Sequence, residues 1–285
     1  MSEVQRQPSG YDHKARKEIQ AFRDKEQTPV GKALEIATTP LSKGTALLMQ
    51  KTPVGKITDG VVSLVNDLAA PTVRHQAIQD RFREHGHAVA KPADVRSLTL
   101  ESVDDVVGNL QTKYIAAMGA EGATLGAGGT LGPGWATAAI VADLLATIGG
   151  GLRAVAEYGA YYGFPVTNQL EREFALGLLH ASALPGGDEK RAAFAELAIV
   201  AKKTAQKKTW DELGKHGSVK AIRKLADQLG IRLTKRKLAT YVPFAGAAVG
   251  GAFNTAYAHQ VTTTAFHAYR ARFLNDQYGD EFIDA

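Results

Sequence analysis

Three carboxylates are the first candidates for chemistry. Between Ala120 and Pro165 the only charged residues are Glu121, Asp143, Arg153 and Glu157. A charge in so apolar a stretch costs several kcal/mol unless it is paired or hydrogen-bonded. Carboxyl groups in such surroundings have raised pKa values and suit acid–base catalysis or divalent-ion binding. If Glu121, Asp143 and Glu157 met in one pocket, hydrolysis of a lipid or peptide would be the natural reaction. Each residue also has a structural reading. Asp143 can cap a helix starting at Leu144, Glu157 can pair with Arg153 one turn earlier, and Glu121 can accept from free N–H groups at a glycine-rich helix start. His180, His259 and His267 are further candidates. His85 and His87 form a His-x-His pair with no third ligand nearby, so no metal site is expected. The chain has no cysteine, which excludes thiolate metal sites, disulfides and a cysteine nucleophile.

A second candidate chemistry is cationic. The net charge is +5, yet Lys202–Lys237 holds twelve Lys/Arg against Asp211, Glu212 and Asp227, a local +9. Such a run attracts an anionic partner. Lys202, Lys203, Lys207, Lys208, Lys235, Arg236 and Lys237 are the candidate lipid- or anion-binding residues. No aromatic-rich stacking surface accompanies them, so nucleic acid is the poorer match. The next 21 residues, Leu238–Ala258, carry no formal charge. That is bilayer-spanning length, but Pro243, Gly246, Gly250, Gly251 and Asn254 make insertion marginal. A buried hairpin is the expectation, with the basic run beside it meeting a membrane surface peripherally.

The elements that must position these residues read as helices throughout. Tyr11–Gln27 is charged, with few apolar positions, and reads as a surface helix or partly ordered arm. Thr28-Pro-Val-Gly-Lys32 and Thr52-Pro-Val-Gly-Lys56 repeat 24 residues apart, each with Thr as a cap and Pro at the first helical position. No phosphate-loop spacing accompanies the Gly-Lys pairs. Helical periodicity runs from Gly60 to His85, interrupted at Pro71. Asp94–Met118 reads as a helix opening near Thr99, with Asp104 and Asp105 outward. Thr167–Ala183 and Asp188–Lys208 are amphipathic. Ser218–Leu229 reads as a helix stopped by Gly230, and the last helix runs from Pro243 to Asn275. Gly122-x-x-x-Gly126 and Gly246-x-x-x-Gly250 have the spacing that lets backbones approach closely. The expected fold is all-α, a multi-helix bundle around glycine-rich, closely packed central helices. Residues 1–90 form a helical extension and 91–285 the main domain.

Four stretches make the sequence resemble the EcsC protein family. They are Glu121-Gly122 with Gly126, Gly128 and Gly129; Asp143 leading to Arg153–Glu157 and Tyr162-Gly163-Phe164; Glu171-Arg172-Glu-Phe174-Ala-Leu176; and Val242-Pro243 through Gly250, with Asn254 and Arg272-Phe273-Leu274. After Phe164 the family often has an acidic residue where this chain has Pro165. The resemblance implies a helical, membrane-associated bacterial protein with an ABC-transporter-linked partner, and it assigns no catalytic residue and no cofactor. The polar first 30 residues and the lack of cysteine fit a cytoplasmic protein at the inner membrane face.

Overall fold

A computed structural model of the chain describes residues 7–24, 54–67, 73–127, 133–184, 187–205, 215–238, 246–279 and 281–284. These form twelve helices and, among the described residues, no strand: α1 (Gly10–Asp24), α2 (Val54–Asp67), α3 (His75–Glu84), α4 (Pro92–Val95), α5 (Leu100–Val107), α6 (Leu110–Ala127), α7 (Pro133–Tyr161), α8 (Gln169–Ser182), α9 (Gly187–Ala205), α10 (Lys215–Leu238), α11 (Gly246–Tyr278) and α12 (Glu281–Asp284). The all-α bundle is as the periodicity predicts.

At the centre, α6 lies antiparallel along α11. Gln111 donates to Thr263 Oγ1 at 2.8 Å, and eight residues on, Gly119 faces Thr255 so closely that a Cβ would stand 2.6 Å from its hydroxyl. The helix α7 packs on both, and passes through Gly149-Gly150-Gly151 without a break. The helices that carry the two glycine-rich regions therefore pack on one another. The surroundings of Gly122, Gly126, Gly246 and Gly250 lie outside the described residues. Around this centre α8 packs on α9, α10 and α11, while α2 fits between α10 and α7. One core runs throughout, from Ala15 and Ile19 of α1 and Ile57, Val61 and Val65 of α2 to Tyr158, Tyr162, Tyr269 and Phe273. The helices before residue 90 thus share the core of those after it.

Several local readings change. Of the two readings of Tyr11–Gln27, the helix is found over its described part, to Asp24, but not merely on the surface: α1 buries Ala15 and Ile19 and is sewn to the C-terminal helices by Tyr278 Oη to Asp12 Oδ2 (2.9 Å) and Gln20 Nε2 to the Ile283 carbonyl (2.9 Å). Thr99 does cap α5, accepting from the Ser102 amide, but Gly108 at φ +48° ends that helix and α6 starts anew. Gly230 does not stop α10. It sits inside the helix where Ile57 of α2 crosses, and a Cβ there would meet Ile57 Cγ2 at 3.0 Å. Close packing, not termination, is what that glycine serves. Of the two Thr-Pro-Val-Gly-Lys repeats, the first lies outside the described residues and the second leads into α2 at Val54.

Candidate functional site

The three candidate carboxylates do not assemble. Asp143 and Glu157 lie on the same unbroken helix, fourteen residues apart, and a rise of 1.5 Å per residue separates them by about 21 Å along the axis. That exceeds any shared water or metal. Asp143 is buried in the middle of α7, so it caps no helix start. Glu157 is half-buried, and its two oxygens meet Lys113 Nζ at 3.0 Å and the Tyr114 hydroxyl, in place of the expected Arg153. Burial raises the Tyr114 phenol well above its ordinary pKa, with Glu157 adding to the effect. Glu121 is exposed near the end of α6. Among the described residues no group of His, Asp and Glu is arranged to hold a metal ion. The histidines are equally scattered: His259 is exposed, His267 stacks on Phe22 of α1, and His180 faces a cleft between α8, α9 and α10.

Two buried ionic clusters stand where the carboxylates of α7 do not. In the first, Asp104 of α5 faces inward, contrary to the outward reading. It accepts from Tyr11 (2.8 Å) and Tyr162 (2.5 Å), and Arg270 Nε lies 2.9 Å from its Oδ2. Arg270 also reaches Glu18 at 2.8 Å. Burial is the largest influence on Asp104 and raises its pKa, against the lowering pull of Arg270 and the phenols. The same burial, with the Asp104 charge, drives Tyr162 far above its ordinary value. The Asp104 carboxylate is held by Tyr11, Tyr162 and Arg270, while Glu18 stands at the edge of the cluster, 42% exposed. The cluster fastens α1 and α5 to α7 and α11.

In the second cluster, the Arg272 guanidinium grips the Glu171 carboxylate with two parallel bonds of 2.7 and 2.6 Å. The Arg272 plane also lies over Phe164 and Phe174, at 4.1 and 4.8 Å from their ring centres. Each partner is delivered by a local rule. Asn168 caps α8 by accepting from the Glu171 amide, so Glu171 stands in the first turn. Gly163 turns the chain at φ +83°, where a Cβ would run into the Pro92 carbonyl at 2.8 Å, and so presents Phe164. These residues come from three of the motif stretches, whose meeting their sequence positions alone could not reveal.

This second cluster forms part of the wall of a groove of about 800 Å³. Other walls are the end of α1 with Arg23 and Asp24, the face of α9 from Arg191 to Thr204, and Asn275 and Asp276 of α11. Lys202 lines the groove, and Lys203 lines a neighbouring cleft of about 470 Å³ with Lys224, Arg232 and His180. Burial, then Arg232, lowers the His180 pKa. Lys202 and Lys203 are exposed; Lys235, Arg236 and Lys237 belong to α10 but their side chains lie outside the described residues, as do Lys207 and Lys208.

No helix among the described residues is long and apolar enough to cross a membrane. No curated protein matches the chain, and no solved structure does. The EcsC protein family model matches residues 13–274, reaching well ahead of the four motif stretches into α1. With that match spanning nearly the whole bundle, the chain belongs to the EcsC protein family.

Proposed function

We propose that this protein docks peripherally on an anionic membrane surface through the basic faces of α9 and α10. The observation that carries the reading is the display of Lys202 and Lys203 at the end of α9 and of Lys220 and Lys224 on α10, all exposed. Lys203 and Lys224 line one cleft, so the two helices offer their charge side by side. Arg232 of α10 and Glu189 of α9 bridge the pair at 2.9 Å. Lysines held near an anionic bilayer contribute about 1 kcal/mol each, and anionic lipid is concentrated in the cytoplasmic leaflet. The inner face of the membrane is therefore the proposed location.

Co-sedimentation with vesicles tests this. Vesicles containing phosphatidylserine or phosphatidylglycerol should carry the protein down, neutral phosphatidylcholine vesicles should not, and added salt should release it. Reversing Lys202, Lys203 and Lys224 to glutamate should abolish pelleting. Equal binding to neutral and anionic vesicles, or none to either, would rule the reading out and leave a membrane protein as the partner to seek.

A further inference from the structure

The groove beside α9 has a chemistry of its own. Its volume, about 800 Å³, is in the range of small-molecule sites, roughly 300–1,000 Å³. Among the described side chains of α9 only Phe194 and Leu197 are buried. Ala195, Ala198 and Ile199 line the groove while remaining exposed, and Ile199 is 56% exposed. Apolar side chains left in water are informative when they share one concave wall with charged groups. Arg191 and Lys202 bracket the apolar stretch, eleven residues apart on one helix, or about 16 Å.

Across the groove, the Asn275 Oδ1 is buried without a hydrogen-bond partner among the described residues. Turned by half a rotation, that carboxamide offers its NH₂ instead. A buried polar atom with no protein partner, on the wall of a cavity, marks where a polar ligand group is wanted. Charge sets the sign of that ligand, since five cationic side chains line the groove against Asp24, Glu171 and Asp276.

We infer that the groove binds a single-chain anionic amphiphile. The hydrocarbon lies along Ala195, Ala198 and Ile199, and the phosphate or carboxylate head meets the rim cations Arg23 and Lys202, with Asn275 as a further polar contact. The small residues at 195 and 198 leave room for the chain. This site shares Lys202 with the proposed membrane-docking surface but needs no bilayer, so the two stand or fall separately.

Isothermal titration with dodecyl phosphate and with dodecanoate, both below their micelle concentrations, tests the site. Each should bind saturably at one site. Inorganic phosphate and the neutral dodecyl maltoside should bind about tenfold more weakly or worse, which separates a head-only anion site and a merely greasy one from the proposed one. Ala198→Phe should weaken dodecyl phosphate binding by about tenfold or more with the circular dichroism unchanged, because residue 198 is exposed and outside the core. Ala195→Gln is the parallel variant should the first misfold. The same variants should still pellet with anionic vesicles. No saturable binding, maltoside or inorganic phosphate bound as tightly as dodecyl phosphate, or affinity untouched by filling the groove would overturn the inference.

Discussion

Arg272 and Glu171 face each other through two hydrogen bonds of 2.7 and 2.6 Å, with side chains only 8% and 6% exposed. Truncating one partner of such a pair leaves a buried charge uncompensated, which costs about 3–5 kcal/mol. Arg272→Ala should therefore lower the urea unfolding free energy by that amount. Arg272→Lys should recover little of it, since lysine gives neither the planar fork nor the stack on Phe164. Unchanged stability in Arg272→Ala would mean that the pair holds nothing together.

Acid should weaken the fold through His267. Burial, reinforced by Arg270 and Lys190 and opposed by Glu18, lowers its pKa from 6.5 to about 4. The unfolded chain thus takes up this proton well before the folded one does. The contribution is complete above pH 6.5, falls as the pH drops toward 4, and stays lost below, about 3 kcal/mol in all. His267→Phe keeps the stack on Phe22 and should flatten this dependence between pH 7 and 4.5. Parallel slopes for wild type and variant would refute the assignment.

Glycine substitutions along α7 should differ in sign. A Cβ on Gly159 would stand 2.7 Å from the Phe164 carbonyl oxygen and 2.7 Å from the Tyr269 hydroxyl. Backbone cannot yield as a side-chain tip can, so Gly159→Ala should cost about 1–3 kcal/mol. On Gly149 the nearest atom would be Leu64 Cδ2 at 3.6 Å, and Gly149→Ala should gain up to about 1 kcal/mol from helix propensity. Thermal denaturation of both variants decides; matching shifts would discredit the close approach at Gly159.

The grip on α1 should depend on Asp104. Hydrogen bonds to charged groups contribute about 1.5–3 kcal/mol each, and Tyr11 and Arg270 both end on this carboxylate. In Asp104→Ala the amides of residues 10–24 should exchange roughly tenfold faster or more. Exchange no faster than in the wild type would show that Asp104 does not hold α1, leaving its apolar contacts and its bonds to Tyr278 and Ile283 to do so.

The sequence revealed the elements far better than their meetings. Asn168 and Thr99 announce helix starts because a cap is local, settled within three residues. Gly230 misleads because glycine at a helix end and glycine at a crossing look alike until Ile57 is seen opposite it. Asp104 reads as outward because an acidic residue in an early helical turn is usually solvated, and nothing within α5 signals that Arg270, Tyr11 and Tyr162 converge on it. The groove was illegible for the same reason. Glu171 and Arg272 each stood in a motif stretch, but 101 residues separate them, and no periodicity spans that distance.

The stitching of α1 to α11 and α12 has a consequence for how the molecule is made. Gln20 and Ile283 are 263 residues apart, and Asp12 and Tyr278 are 266. At about 5–20 residues per second, synthesis leaves α1 without its berth for roughly 10–50 s. Loop closure over such a length adds little extra free energy, because that cost grows only with the logarithm of the loop. Time, not thermodynamics, is the burden: throughout that interval Ala15 and Ile19 have no finished core to enter. Although made before the other described helices, α1 is thus among the last of them to settle.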